Sequence, residues 1–228
     1  ISVPSQSLIL NKDIKNMMSQ LDYFAMTIAG ETVLSVFSDS AERLSLHRES
    51  KKLLMLNFEG GGVRRLDISR FLEECPLEKV KTLDLQFKGD HLKVDGGDTS
   101  KLKMSKLKEM KALILYFDSC SLNLVQLLER FRVELLNLES LKHSAILFQN
   151  IIYDKEIYSG ISKFLKSLKY TTYLNLMLYH NLRLNKSNTI ASSKIEIDSI
   201  CQTISSLPKL KTIKFAANPP WDNRPVLG

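Results

Sequence analysis

Four histidines, three cysteines and one glycine triplet are the residues of this chain whose types could carry chemistry. His47, His91, His143 and His180 could ligate a metal, but none falls into an HxxxH or CxxC type of spacing, which would bring donors to one point. Cys75 is the candidate nucleophile. Its neighbours Glu73, Glu74 and Glu78 would raise a thiol pKa rather than lower it, so a packing role at a chain corner is expected instead. The run Gly60-Gly61-Gly62-Val63-Arg64-Arg65 offers backbone N–H groups to a phosphate. It lacks the GxxxxGK[ST] order and reads as a turn with a basic rim. No Gly-x-Ser-x-Gly elbow is present, and the Glu73-Glu74 pair belongs to a charged helix surface. The expectation is a protein without catalytic residues, cofactor or metal.

Charge is the other chemical signal. The formal net charge is +7, and Lys101, Lys103, Lys106, Lys108 and Lys111 place five lysines within eleven residues. With Arg64 and Arg65 these lysines form the candidate anion-binding set, and Lys209 to Lys214 add a second basic stretch. A polyanion such as nucleic acid is therefore the alternative partner. Aromatic side chains that would stack bases appear only at Tyr116 and Phe117, after the cluster has ended.

The elements that position these residues are announced by a recurrence. Pro76 to Phe87, Lys106 to Phe117 and Leu207 to Asn218 share one order: Leu, two residues, an apolar residue, Lys, then aliphatic residues at alternate places. The first copy runs Leu77, Val80, Lys81, Leu83, Leu85, Phe87; the second Leu107, Met110, Lys111, Leu113, Leu115, Phe117; the third Leu207, Leu210, Lys211, Ile213, Phe215. Such recurrence implies stacked supersecondary units, which build long surfaces rather than closed pockets.

Around these copies the periodicity predicts a helix over residues 11 to 29 and short strands over 32–37, 43–47 and 53–58. Helices are expected over 68–74, 122–130, 156–169 and 195–206, and strands at VKTLDLQF, MKALILYF, VELLNLES, TTYLNLML and LKTIKFAA. Residues 88–100 and 181–193 read as loops. Anchor residues Leu54, Leu83, Leu113, Leu136, Leu174 and Ile213 are then separated by 29, 30, 23, 38 and 39 residues.

In these segments the chain resembles the leucine-rich-repeat family, in its longer ribonuclease-inhibitor-like form. VKTLDLQF, MKALILYF and VELLNLES match the LxxLxL strand, and FLEECPLEKVKTLDL runs helix, Cys-Pro corner and strand in that family's order. The irregular spacing is similar to that of repeats appended to F-box proteins. The resemblance implies an α/β solenoid of about five or six irregular repeats, with a parallel concave sheet and outer helices. Residues 1–46 would be an N-terminal cap, 47–218 the repeat domain and 219–228 an extended tail.

Strand alternation then sends Leu83, Leu85 and Phe87 inward and the intervening residues to the other face. The expected partner-binding residues on that face are Asp84, Gln86, Tyr116, Asp118, Asn137, Glu139, Asn175 and Tyr179. The expected function is a non-catalytic scaffold for a protein partner, such as the recognition part of a ubiquitin-ligase adaptor. The three widely separated cysteines (Cys75, Cys120, Cys201) suggest a reducing intracellular compartment, cytoplasmic or nuclear. Apolar runs are broken by charges, so no membrane span is expected.

Overall fold

The computed structural model describes residues 2–3, 23–29, 53–59, 78–89, 107–120, 124–180 and 190–218. The strands are β1 (Ser2–Val3), β2 (Tyr23–Ala29), β3 (Leu53–Glu59), β4 (Thr82–Lys88), β5 (Ala112–Asp118), β6 (His143–Ile151), β7 (Tyr173–His180) and β8 (Thr212–Asn218). The helices are α1 (Leu124–Leu135), α2 (Lys155–Leu165) and α3 (Ile190–Ser205). Among the described residues the strands make one eight-stranded sheet in the order of the chain, β1 to β8. Every neighbouring pair is parallel. The chain is therefore α/β, with each strand laid beside its predecessor.

Register makes the period visible. Phe24, Leu54, Leu83, Leu113, Ser144, Leu174 and Ile213 stand side by side, at intervals of 30, 29, 30, 31, 30 and 39 residues. The strand expected at VELLNLES is corrected. Its first residues end α1, where Leu124, Leu128, Phe131 and Leu135 recur at helical spacing and are all buried. The strand lies ten residues later, at His143–Ile151. The anchor at Leu136 is thus replaced by Ser144, and the intervals even out except the last, of 39 residues between Leu174 and Ile213.

Two further corrections concern boundaries. The helix expected over residues 11 to 29 is strand at Tyr23–Ala29, held by seven register pairs to β3. That strand lies in the segment assigned to the cap, yet it continues the same sheet. Residues 190–193, expected in a loop, open α3. The expected strands at 32–37 and 43–47, the glycine triplet, the helix at 68–74 with Cys75, and the tail lie outside the described residues.

One face of the sheet carries the core. Leu83, Leu85 and Phe87 of β4 join Leu113, Leu115 and Phe117 of β5, Ile146 and Phe148 of β6, and Leu174, Leu176 and Leu178 of β7. The buried stripes of the three helices close over them, through residues such as Leu127, Phe131, Ile161, Phe164 and Ile200. Full burial of each such side chain contributes about 1.5–3 kcal/mol. Phenylalanines in register stack. The ring centroids of Phe87 and Phe117 are 5.3 Å apart, and those of Phe117 and Phe148 5.2 Å. Asp154 caps α2 by accepting from the N–H of Ile157 at 2.8 Å.

Candidate interaction face

The sheet's other face changes character along its length. On β3, β4 and β5 it is closed: Leu53, Met55 and Asn57, then Thr82, Asp84 and Gln86, then Ala112, Ile114 and Tyr116 are all buried. On β6, β7 and β8 it opens. Thr212, Lys214 and His143 are exposed, while Ala145, Leu147, Gln149, Tyr173, Met177, Tyr179 and Ala216 are half-buried. Asn175 alone in this half is buried.

Register fixes the layout of the open half. His143, Tyr173 and Thr212 form its first row, Ala145, Asn175 and Lys214 the second, Leu147, Met177 and Ala216 the third. The rings of His143 and Tyr173 are 5.8 Å apart and tilted by 36°. The Tyr179 hydroxyl donates to the Met177 sulfur at 3.6 Å. The centre is aliphatic at Ala145, Leu147, Met177 and Ala216, with Asn175 and exposed Lys214 set beside them, and aromatic and polar groups stand at both ends of the strands. An apolar middle with a polar rim is the anatomy of a protein-binding surface.

The border between the closed and open halves is pinned by hydrogen bonds. The Tyr116 hydroxyl donates its one proton to Gln149 Oε1 at 2.8 Å, with Asp118 Oδ2 a more distant acceptor at 3.3 Å. Asp118 Oδ1 accepts from the Ser119 hydroxyl at 3.0 Å and from the Asn150 amide at 2.8 Å. Gly89, Ser119 and Asn150 each follow one of the register mates Lys88, Asp118 and Gln149, and all three have left-handed backbone, with φ of 93°, 56° and 53°. At Asn150 this accommodates a bulge, since three steps on β6 from Phe148 to Ile151 match two on β7.

Of the expected partner-binding residues, Asp84, Gln86, Tyr116 and Asn175 are corrected: they are on strands but buried, so they cannot present themselves to a partner. Asn137 and Glu139 are corrected too, because they sit in the turn between α1 and β6 rather than on a strand. Asp118 is half-buried and spends its carboxylate on the pin just described. Tyr179 does lie on the open face. Sequence reading missed His143, Leu147, Tyr173 and Met177, the first two because their strand was misplaced. Of the anion-binding set, Lys108 is exposed in the turn before β5, and Arg64, Arg65, Lys101, Lys103 and Lys106 lie outside the described residues.

Among the described residues no three His, Cys, Asp or Glu side chains gather where a metal ion could be held. The buried Cys120 thiol lies 3.1 Å from the carbonyl oxygens of both Phe87 and Asp118, which share its one proton, and so links β4 to β5. Cys201 on α3 is exposed beside Asp198, and burial of its sulfur, then the nearby carboxylate, raises its pKa, the reverse of nucleophile activation. No helix among the described residues is long and apolar enough to cross a membrane. Compared with family models, with curated proteins and with solved structures, the chain matches none.

Proposed function

We propose that this chain is a non-catalytic interaction module, a solenoid of the leucine-rich-repeat type, which holds a protein partner on the open face of β6, β7 and β8. The observation that carries the reading is the change from a closed to an open surface along one sheet face. The strands that open present Leu147, Met177, Ala145 and Ala216 between aromatic ends. Units that repeat every 30 residues or so, in strict chain order, support the solenoid. A rigid parallel sheet of this kind binds by shape and polar complementarity, with little ordering cost on its own side.

In a cell the module would be the recognition part of a larger assembly, of which a ubiquitin-ligase adaptor is one form. Three cysteines set far apart in the sequence support a reducing intracellular compartment. The test is photo-crosslinking from single positions. A crosslinker at Leu147 or Met177 should trap one common partner, one at Glu129 on the exposed side of α1 should not, and Met177→Asp should abolish the adduct formed from Leu147. Equal trapping from Glu129, or an adduct indifferent to Met177→Asp, removes the open face from consideration.

A further inference from the structure

We infer that the edge of the sheet where its strands begin, which shares His143 and Tyr173 with the first row of the open face, binds single-stranded nucleic acid. The backbone builds this edge as a continuous row. The Lys81 carbonyl accepts the N–H groups of Lys111 and Ala112 at 2.8 and 3.0 Å, and the Lys111 carbonyl those of Lys142 and His143 at 2.9 and 3.0 Å. The Lys142 carbonyl accepts from Thr172 and Tyr173 at 2.8 and 3.0 Å, and the Thr172 carbonyl from Lys211 and Thr212 at 2.9 and 3.0 Å. Five equivalent positions thus stand at the strand pitch of about 4.8 Å, a row about 19 Å long. Four of them are lysines.

The turns leading into the row add Lys79, Lys108, Lys169 and Lys209, all exposed. Across the five turns, eight lysines face three acids, Glu78, Glu109 and Glu139, and the last two turns (169–172 and 208–211) hold no acid at all. The edge therefore carries most of the formal charge of +7. Lys142 Nζ reaches the Glu139 carbonyl at 2.9 Å, which draws that ammonium towards its own turn.

Rings are set into the same end of the row. Tyr173 follows Thr172, exposed His143 follows Lys142, and their rings lie 5.8 Å apart. Lys209 Nζ sits 4.6 Å from the centroid of Tyr170. Lysines can hold any polyanion, but a carboxylate polymer makes no use of the rings, and a duplex keeps its base faces to itself. Unpaired bases have free faces that stack on such rings, while the phosphates follow the lysines.

The experiment is fluorescence anisotropy of the full chain with a labelled oligothymidylate of about twenty nucleotides, over about 50–200 mM salt. Binding should weaken as salt rises. The triple variant Lys111→Glu/Lys142→Glu/Lys211→Glu should lose at least about tenfold in affinity and reduce the salt slope by about 2, at about 0.7 per phosphate on a single strand. Tyr173→Leu should weaken binding with the slope unchanged, and Tyr173→Phe should restore it. Thermal unfolding of each variant verifies that it is folded. Absence of binding at the lowest salt overturns the site, as does a triple variant that binds like the parent. Competition by duplex or polyglutamate equal to that of the single strand likewise overturns it, and assigns the edge to those polyanions.

Discussion

Ser144 Oγ and Thr171 Oγ1 lie 3.0 Å apart, and both residues are buried. Each stands where other units carry an apolar side chain. Ser144 is in register with Leu113 and Leu174, and Thr171 closes its turn on Leu168 as Met110 does on Leu107 and Leu210 on Leu207. Two departures from the repeat are therefore partners. Removing one hydroxyl leaves the other buried without its bond, so Ser144→Ala and Thr171→Val should each cost about 1–3 kcal/mol. The double variant should cost less than the two together, because neither hydroxyl is then left alone. Urea unfolding of the four proteins measures the coupling. Strictly additive losses would mean that the two groups do not depend on one another.

The same pair explains how far the sequence could be read. Three copies of the unit announce themselves because each keeps Leu, an apolar residue and Lys in their places. The units at Leu138-Leu141-Lys142 and Leu168-Thr171-Thr172 are equally regular in backbone, yet polar residues at Ser144 and Thr171 hide them. In the gap so created, Val133 and Leu135, then Leu136 and Leu138, stand two apart as in a strand, although Leu128, Phe131 and Leu135 bury as one helix stripe. Tyr23–Ala29 fails for another reason: Ala25 and Ile28 continue the three-and-four spacing of Ile14, Met17, Met18 and Leu21, and only pairing with β3 decides for strand. The site was legible only in part. Asp84 and Gln86 were rightly placed on strands, but the closing of their face is a long-range fact that no local pattern carries.

Phe117 lies between two parallel partners, at 12° to Phe87 and 13° to Phe148, so its loss should be felt on both sides. Phe117→Ala should destabilise the chain by about 3–5 kcal/mol. Phe117→Leu should cost much less, since Leu178 fills the equivalent place on β7. Denaturant midpoints rank the three proteins. Equal losses from Ala and Leu would show that ring stacking, not filled volume, is what the position requires.

Tyr153 and Tyr158 stack at 5.2 Å between the ends of β6 and α2 and are both buried. Burial, reinforced at Tyr158 by the negative charge of Glu196, raises both phenols above the ordinary tyrosine range. A raised folded pKa means that the folded state holds its proton more tightly. This contribution to stability is complete below the free-tyrosine pKa of about 10 and is lost as pH rises through the folded values. In an alkaline titration followed by phenolate absorbance, these two of the seven tyrosines should ionise only with unfolding. The double variant Tyr153→Phe/Tyr158→Phe should leave the amplitude before unfolding unchanged. A reduced amplitude would mean that at least one phenol titrates in the folded chain.

Asn150 is asked to do two things, to adopt a left-handed backbone at φ 53° within the β6 bulge and to donate its amide to Asp118 at 2.8 Å. Two substitutions separate them. Asn150→Gly loses the amide but suits the backbone. Asn150→Ala loses the amide and pays in addition about 1–2 kcal/mol for the left-handed conformation. Thermal or urea unfolding should therefore rank the parent above Gly and Gly above Ala, and equal losses from Gly and Ala would show that the bulge imposes no such demand. The consequence for binding is different in kind. Asn150 holds the border with β5, one strand away from Met177, so Asn150→Gly should weaken partner capture far less than Met177→Asp does. If the two weakened it equally, the partner would be reading the Tyr116, Asp118 and Gln149 border rather than the aliphatic centre of the face.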